Sequence, residues 1–183
     1  MPRMSVYDEI LVLFAAHGSE SYFGETVSTT EHGLQAAFFA QEASAPAELV
    51  LAALLHDIGH LIDAAPNDLA EWTDDAHHEQ TGGRWLARRF ASEVCEPVRL
   101  HVPAKRFLCA TDAHYLGKLS CASVVTLKLQ GGPMGDEEVA RFEAEPFHRD
   151  AIRLRHWDDS GKVAGLATPD LADYANLIKR LSK

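Results

Sequence analysis

A chain of 183 residues can bury one sizeable core, and its 46% apolar share is ordinary for a globular protein, so a single domain over 1–183 is expected. A net charge of -10 with no basic block excludes nucleic acid or an anionic membrane as the main partner, but not a small anion, which responds to local charge. Cys95, Cys109 and Cys121 contain no Cys-x-x-Cys pair, which fits a reducing, cytoplasmic compartment, and no signal peptide or membrane-length apolar run stands out.

Val6, Ile10, Leu13 and Phe14 fall at helical spacing and predict a first helix over 6–16, ending near Gly18. The segment 19–32 reads as a loop, with Tyr22 and Glu25 on either side of Gly24, a residue that permits bending. Ser28-Thr29-Thr30-Glu31 fits a capping box. A second helix should therefore start there and run to about Glu42, burying Leu34, Ala37 and Phe38, with His32 in its first turn. Pro46 opens a third helix, expected over 49–60. Its stretch from Leu49 to Leu55 has no polar face, which marks a buried helix. At its end come His56, Asp57 and, one turn on, His60. An ionised Asp57 there is expensive unless a cation meets it.

A polar loop over 63–75 follows, and Asp74 or Asp75 should cap a helix through Arg89, with Trp85, Leu86 and Phe90 on its apolar side. Its first turn holds His77 and His78. Neighbours on a helix point about 100° apart, so at most one of these histidines faces inward. A short helix over 93–101 should stop before Pro103, leaving His101 near its carboxyl end and Lys105 just beyond. Then come a helix over 114–128, a Gly-Gly-Pro break within 130–134, short helices over 137–144 and 147–156, and a turn over 157–161. A last amphipathic helix is capped by Thr168-Pro169. No long stretch alternates like a strand, so the fold class is all-α: a bundle of roughly seven to nine helices with ligands built in its interior.

His32, His56, Asp57, His78, His101 and Asp158 are the residues able to turn inward as metal ligands. Four imidazoles and two carboxylates are too many for one ion. They suit two ions sharing Asp57 as a bridge. Nitrogen and oxygen donors without thiolate favour Fe or Mn, with Zn, Mg or Ni possible.

The series His32, His56-Asp57, Asp158 resembles the HD-domain superfamily, all-helical metalloenzymes of which most are phosphohydrolases. Adding His78 and His101 makes it similar to the dimetal subset. Tyr22-Phe23-Gly24-Glu25, Glu31-His32, residues 54–60, His78-Glu79, residues 101–106, residues 130–134 and Trp157-Asp158 stand in an order and near-spacing similar to the PhnZ/TmpB-type organophosphonate oxygenases. That resemblance implies two iron ions of mixed valence, Fe(II)/Fe(III), with dioxygen as co-substrate. The implied reaction cleaves the carbon–phosphorus bond of a 1-hydroxy-2-(amino or trimethylammonio)ethylphosphonate, giving phosphate and glycine or glycine betaine.

By the same resemblance, one iron lies on His32, His56, Asp57 and Asp158 and the other on Asp57, His78 and His101. Tyr22 is then a resting-state ligand that leaves when substrate arrives, and Glu25 accepts the substrate's ammonium. His60, Lys105, Ser123 and Thr126, with Arg155 beside Asp158, form the anion pocket. Two alternatives stand beside this reading. One is a dimetal phosphohydrolase acting on nucleotides or phosphoesters; the other is a non-catalytic HD module that binds a regulator.

Overall fold

Side-chain caps set where the first two helices begin. Ser5 accepts the Asp8 N–H and starts α1, Val6–His17. Ser28 accepts the Glu31 N–H while Glu31 returns a bond to the Ser28 N–H, the expected capping box, and α2 runs Thr29–Glu42. The computed structural model describes residues 4–63 and 77–183. Among them the further helices are α3 Ala47–Leu55, α4 Ile58–Asp63, α5 His78–Ala87, α6 Ser92–Thr111, α7 Cys121–Leu129, α8 Asp136–Glu143, α9 His148–Ser160 and α10 Ala175–Leu181. The only strand-like pairing among these residues is one antiparallel bridge, Ser21 to Ser28. The all-α expectation holds, and no described helix is long and apolar enough to cross a membrane.

Every residue from Leu49 to Leu55 is buried, as an apolar-all-round helix requires. That helix, α3, lies among α2, α6 and α9, while α6 also packs on α5 and α9. Each fully buried leucine contributes about 2 kcal/mol, so α3 is the axis on which the other helices are hung.

The structure corrects several boundaries. The helix expected over 49–60 breaks at His56-Asp57 into α3 and α4, which raises the helix count above the expected range. The break lets α4 press on α5: a Cβ at Gly59 would stand 2.0 Å from the His78 carbonyl oxygen. Helix α6 does not stop at Pro103 but runs through Pro97 and Pro103. An interior proline costs about 3 kcal/mol. Here burial of Val98, Leu100, His101, Val102, Ala104 and Leu108 outweighs it. Helix α9 continues through the expected turn to Ser160, because Arg155 ties Asp158 and Asp159 within the helix.

The helix expected over 114–128 is a 3-10 turn, Leu116–Lys118, followed by α7, whose start is set by the Ser120 hydroxyl accepting the Ser123 N–H. The last helix begins after Asp170, not at Pro169, with a 3-10 turn Leu171–Tyr174 leading into α10. Phe38 is only half-buried. Gln35 is buried instead, its amide bracketing the Val163 N–H and C=O at 2.9 and 2.8 Å. The cap at Asp74 or Asp75 and nearly all of the 63–75 loop lie outside the described residues.

Candidate metal centre and active site

Five parts of the fold deliver the predicted ligands to one place: α2 brings His32, the α3–α4 turn His56 and Asp57, α5 His78, α6 His101 and α9 Asp158. All six are at most 7% exposed. Of the adjacent histidines, His78 is buried and the His77 side chain is 68% exposed. Asp57 offers one carboxylate oxygen to each of two histidine pairs. Its Oδ2 lies 3.6 Å from His32 Nε2 and 3.5 Å from His56 Nε2. Its Oδ1 lies 3.3 Å from His78 Nε2 and 3.5 Å from His101 Nε2. Asp158 Oδ1 joins the first pair, 3.3 Å from His32 Nε2 and 3.8 Å from His56 Nε2.

The donor chemistry fits metal. His32, His56 and His101 donate Nδ1–H to the carbonyls of Gly161, Ala53 and Val98 at 2.9, 2.8 and 2.7 Å. This tautomer leaves each Nε2 as a lone pair. Yet His32 and His56 face each other Nε2 to Nε2 at 3.0 Å, and His78 and His101 do so at 3.1 Å. Facing lone pairs at that distance repel unless a proton or a metal cation is shared between them. Two nitrogens each about 2.1 Å from one ion, at right angles, stand about 3.0 Å apart. His32, His56 and Asp57, with Asp158, could therefore hold one ion, and Asp57, His78 and His101 a second.

The electrostatics agree. Burial holds the His56 imidazole down at about 4, so it is neutral and ready to ligate at neutral pH. Burial alone would raise Asp57, but the imidazoles around it, His56 first and then His101 and His78, hold it well below the usual carboxylate range. Burial also opposes the ionised Asp158, and the Arg155 guanidinium overrides it. Arg155 Nη1 donates to Asp158 Oδ2 at 2.6 Å, Nη2 to Asp159, and Nε to the Tyr115 hydroxyl at 3.1 Å. Its fork is committed to carboxylates, so it orients Asp158 more than it offers a cation to a ligand.

Beside this cluster is a small cavity of about 30 Å³. That is room for about one or two waters. Tyr22 and Phe23 close it from the loop, and His60, Lys105, Ser123 and Thr126 line it with Gln130 and Lys162. The Tyr22 hydroxyl donates to Asp57 Oδ2 at 2.7 Å, and its ring stacks on His32 at 3.8 Å. The His60 ring stacks on His78 at 3.9 Å, and burial pushes its basicity far down. Lys105 is 3% exposed and donates to Thr126 Oγ1 at 2.9 Å. Burial, then the Arg155 charge, lowers Lys105 to about 7. Glu25 does not line the cavity; its Oε1 lies 3.6 Å from Lys162 Nζ.

Sequence reasoning passed over Lys162, although it comes four residues after Asp158, the separation that singled out His60 after His56 and Lys105 after His101. It also gave no role to Glu79. That carboxylate is 4% exposed, its Oε2 has no hydrogen-bond partner, and it lies 3.8 Å from His78 Nδ1. Glu79→Ala should weaken binding of the ion at His78 and His101 roughly 10- to 100-fold, leaving the ion at His32 and His56 in place. Metal titration of the purified variant reads this directly. Unchanged affinity for both ions would exclude a supporting role.

The fold and its histidine–aspartate cluster define an all-helical metalloenzyme. Residues 29–120 match the HD domain family. The chain is 48% identical over 163 residues to the hydroxymethylphosphonate dioxygenase of Gimesia maris, covering 88% of this chain and 81% of that protein. It is 42% identical over 179 residues to the 1-hydroxy-2-(trimethylamino)ethylphosphonate dioxygenase (glycine-betaine-forming) of Leisingera caerulea, covering 98% and 91%. The chain belongs to the HD-domain family and, within it, to the phosphonate dioxygenases of the PhnZ/TmpB type.

Proposed function

We propose that this chain, as one domain, uses dioxygen to cleave the carbon–phosphorus bond of a 1-hydroxyphosphonate, releasing phosphate and the matching carboxylic acid: glycine or glycine betaine from a 1-hydroxy-2-(amino or trimethylammonio)ethylphosphonate, formate from hydroxymethylphosphonate. The observation that carries this reading is the position of Asp57, with one oxygen toward each histidine pair, beside a cavity walled by Lys105, His60 and hydroxyl groups. Two iron ions of mixed valence, held by the two histidine pairs with Asp57 and Asp158, would bind and activate dioxygen, and the electrons that reduce it come from the C–H and C–P bonds broken at carbon 1. The names of both relatives support an oxygenase over a dimetal phosphohydrolase.

The protein's own part is orientation and charge. Lys105, presently bonded to the Thr126 hydroxyl, donates to the phosphonate, and Ser123 and His60 complete the anion pocket. Arg155 keeps Asp158 ionised and aimed at His32. Tyr22 walls the cavity from the loop and covers Asp57 Oδ2, so movement of the loop would uncover that oxygen. Phe23 (φ 48) and Gly24 (φ 77) are left-handed there, a conformation glycine adopts without strain. A second substrate, hydroxymethylphosphonate, is favoured by the approach of Lys162 to Glu25, since that molecule brings no ammonium for Glu25 to accept.

Anaerobically iron-loaded protein should release phosphate from a 1-hydroxyphosphonate only when dioxygen is admitted, with matching oxygen uptake. Phosphate release from nucleotides without oxygen would replace this reading with the hydrolase.

A further inference from the structure

We propose that Lys162 determines substrate choice: its ammonium stands in for a substrate amine at Glu25, so the pocket prefers 1-hydroxyphosphonates that carry no amine. This rests on the proposed oxidative cleavage of a 1-hydroxyphosphonate. Lys162 Nζ donates to Ser120 Oγ and Ser123 Oγ, both at 3.1 Å, and lies 3.6 Å from Glu25 Oε1 and 5.8 Å from the centre of the Tyr22 ring. One group therefore touches the start of α7, the loop carboxylate and the edge of the cavity.

The two partners differ in how they are held. The backbone around Lys162 is pinned to α2 on both sides. The Gly161 carbonyl accepts from His32 Nδ1, and the Val163 N–H and C=O pair with the Gln35 amide. Glu25 instead follows the left-handed pair Phe23 and Gly24 on the loop. Its Oε1 is buried without a hydrogen bond, so the nearby lysine charge is what answers it. The two side chains are only 11% and 21% exposed, which limits screening by water.

Lys162 is already the counter-charge of the buried Glu25 oxygen, so a second ammonium brought there meets a like charge as well as the anion. An ammonium-bearing substrate has to push Lys162 off Glu25 or bind beside a like charge, and either loses affinity. A substrate without an amine leaves the pair intact, with Lys162 still on Ser123 at the phosphonate end.

The test compares hydroxymethylphosphonate with 1-hydroxy-2-aminoethylphosphonate on iron-loaded wild type, Lys162→Met, Lys162→Arg and Glu25→Gln. In Lys162→Met the ratio of kcat/KM, aminated over unaminated, should rise about tenfold, the worth of a well-placed ion pair. Lys162→Arg should keep the wild-type ratio, and Glu25→Gln should lower it. A loss in Lys162→Met of equal size for both substrates would make Lys162 a plain anion ligand and overturn the proposal; a lowered ratio would do the same. A calorimetric arm measures Kd for methylphosphonate and 2-aminoethylphosphonate on the same metal-loaded proteins and should show the same shift in ratio. If wild type turns over neither substrate, the oxidative reading fails, while the Kd ratios still decide the role of Lys162. Should Lys162→Met fail to fold, Glu25→Gln and Lys162→Arg give the answer.

Discussion

Asp57→Asn should lose both bound ions together and lower activity at least about 10⁴-fold, while the fold persists. Each carboxylate oxygen of Asp57 faces a different histidine pair, and among the described residues no other ligand serves both. An amide puts N–H where one pair needs an anion, and it removes the charge that balances the other. Asp158→Asn should be milder in metal content, because Asp158 approaches only the His32 and His56 side. Elemental analysis of the two variants separates them: near zero ions for the first, close to one for the second. Retention of both ions in Asp57→Asn would refute the bridged centre.

Lys105→Met should lower kcat/KM for a phosphonate roughly 10²- to 10³-fold, chiefly through KM. Methionine keeps the buried stem and removes the one ammonium that faces the cavity from α6. The pH profile carries the signature. Lys105 is held at about 7, so its charge is present below that pH and lost above it. Wild-type kcat/KM should therefore fall as pH climbs past about 7 from this group, and the variant should lack that limb. Stability should move the other way. Folding lowers Lys105 from 10.5 to about 7, so its burial opposes the fold fully below about 7, and that penalty fades as pH rises to 10.5. The variant should thus melt a few degrees higher at about pH 6, and the advantage should shrink through that window. A lower melting point with unchanged KM would assign Lys105 to the core instead.

Residues close in sequence account for what could be read before any coordinates. The Ser28–Glu31 capping box works because the bonding groups lie three residues apart. The burial of α3 follows from seven apolar residues that leave no face for water. That at most one of His77 and His78 faces inward follows from helical spacing, but the structure decides the pair otherwise: His77 stands before α5 in left-handed backbone (φ 49), and His78 opens the helix. Misreadings arose where distant packing overruled a local preference. Pro103 is a real local penalty, yet α6 passes it because α3, α5 and α9 grip its flanks. Asp158 looked like a turn residue, but Arg155 holds it inside α9.

The inventory of donors, four imidazoles and two acids with no thiolate among them, is a property of residue identity, and it already pointed to a paired metal centre in a helical protein. Which oxygen of Asp57 meets which histidine pair, and which cation meets Glu25, could not be read the same way. Those relations join residues tens of positions apart, and they depend on ångström-scale offsets between helices. Such offsets come from the summed packing of many side chains, each weak alone, so no single stretch of the chain encodes them.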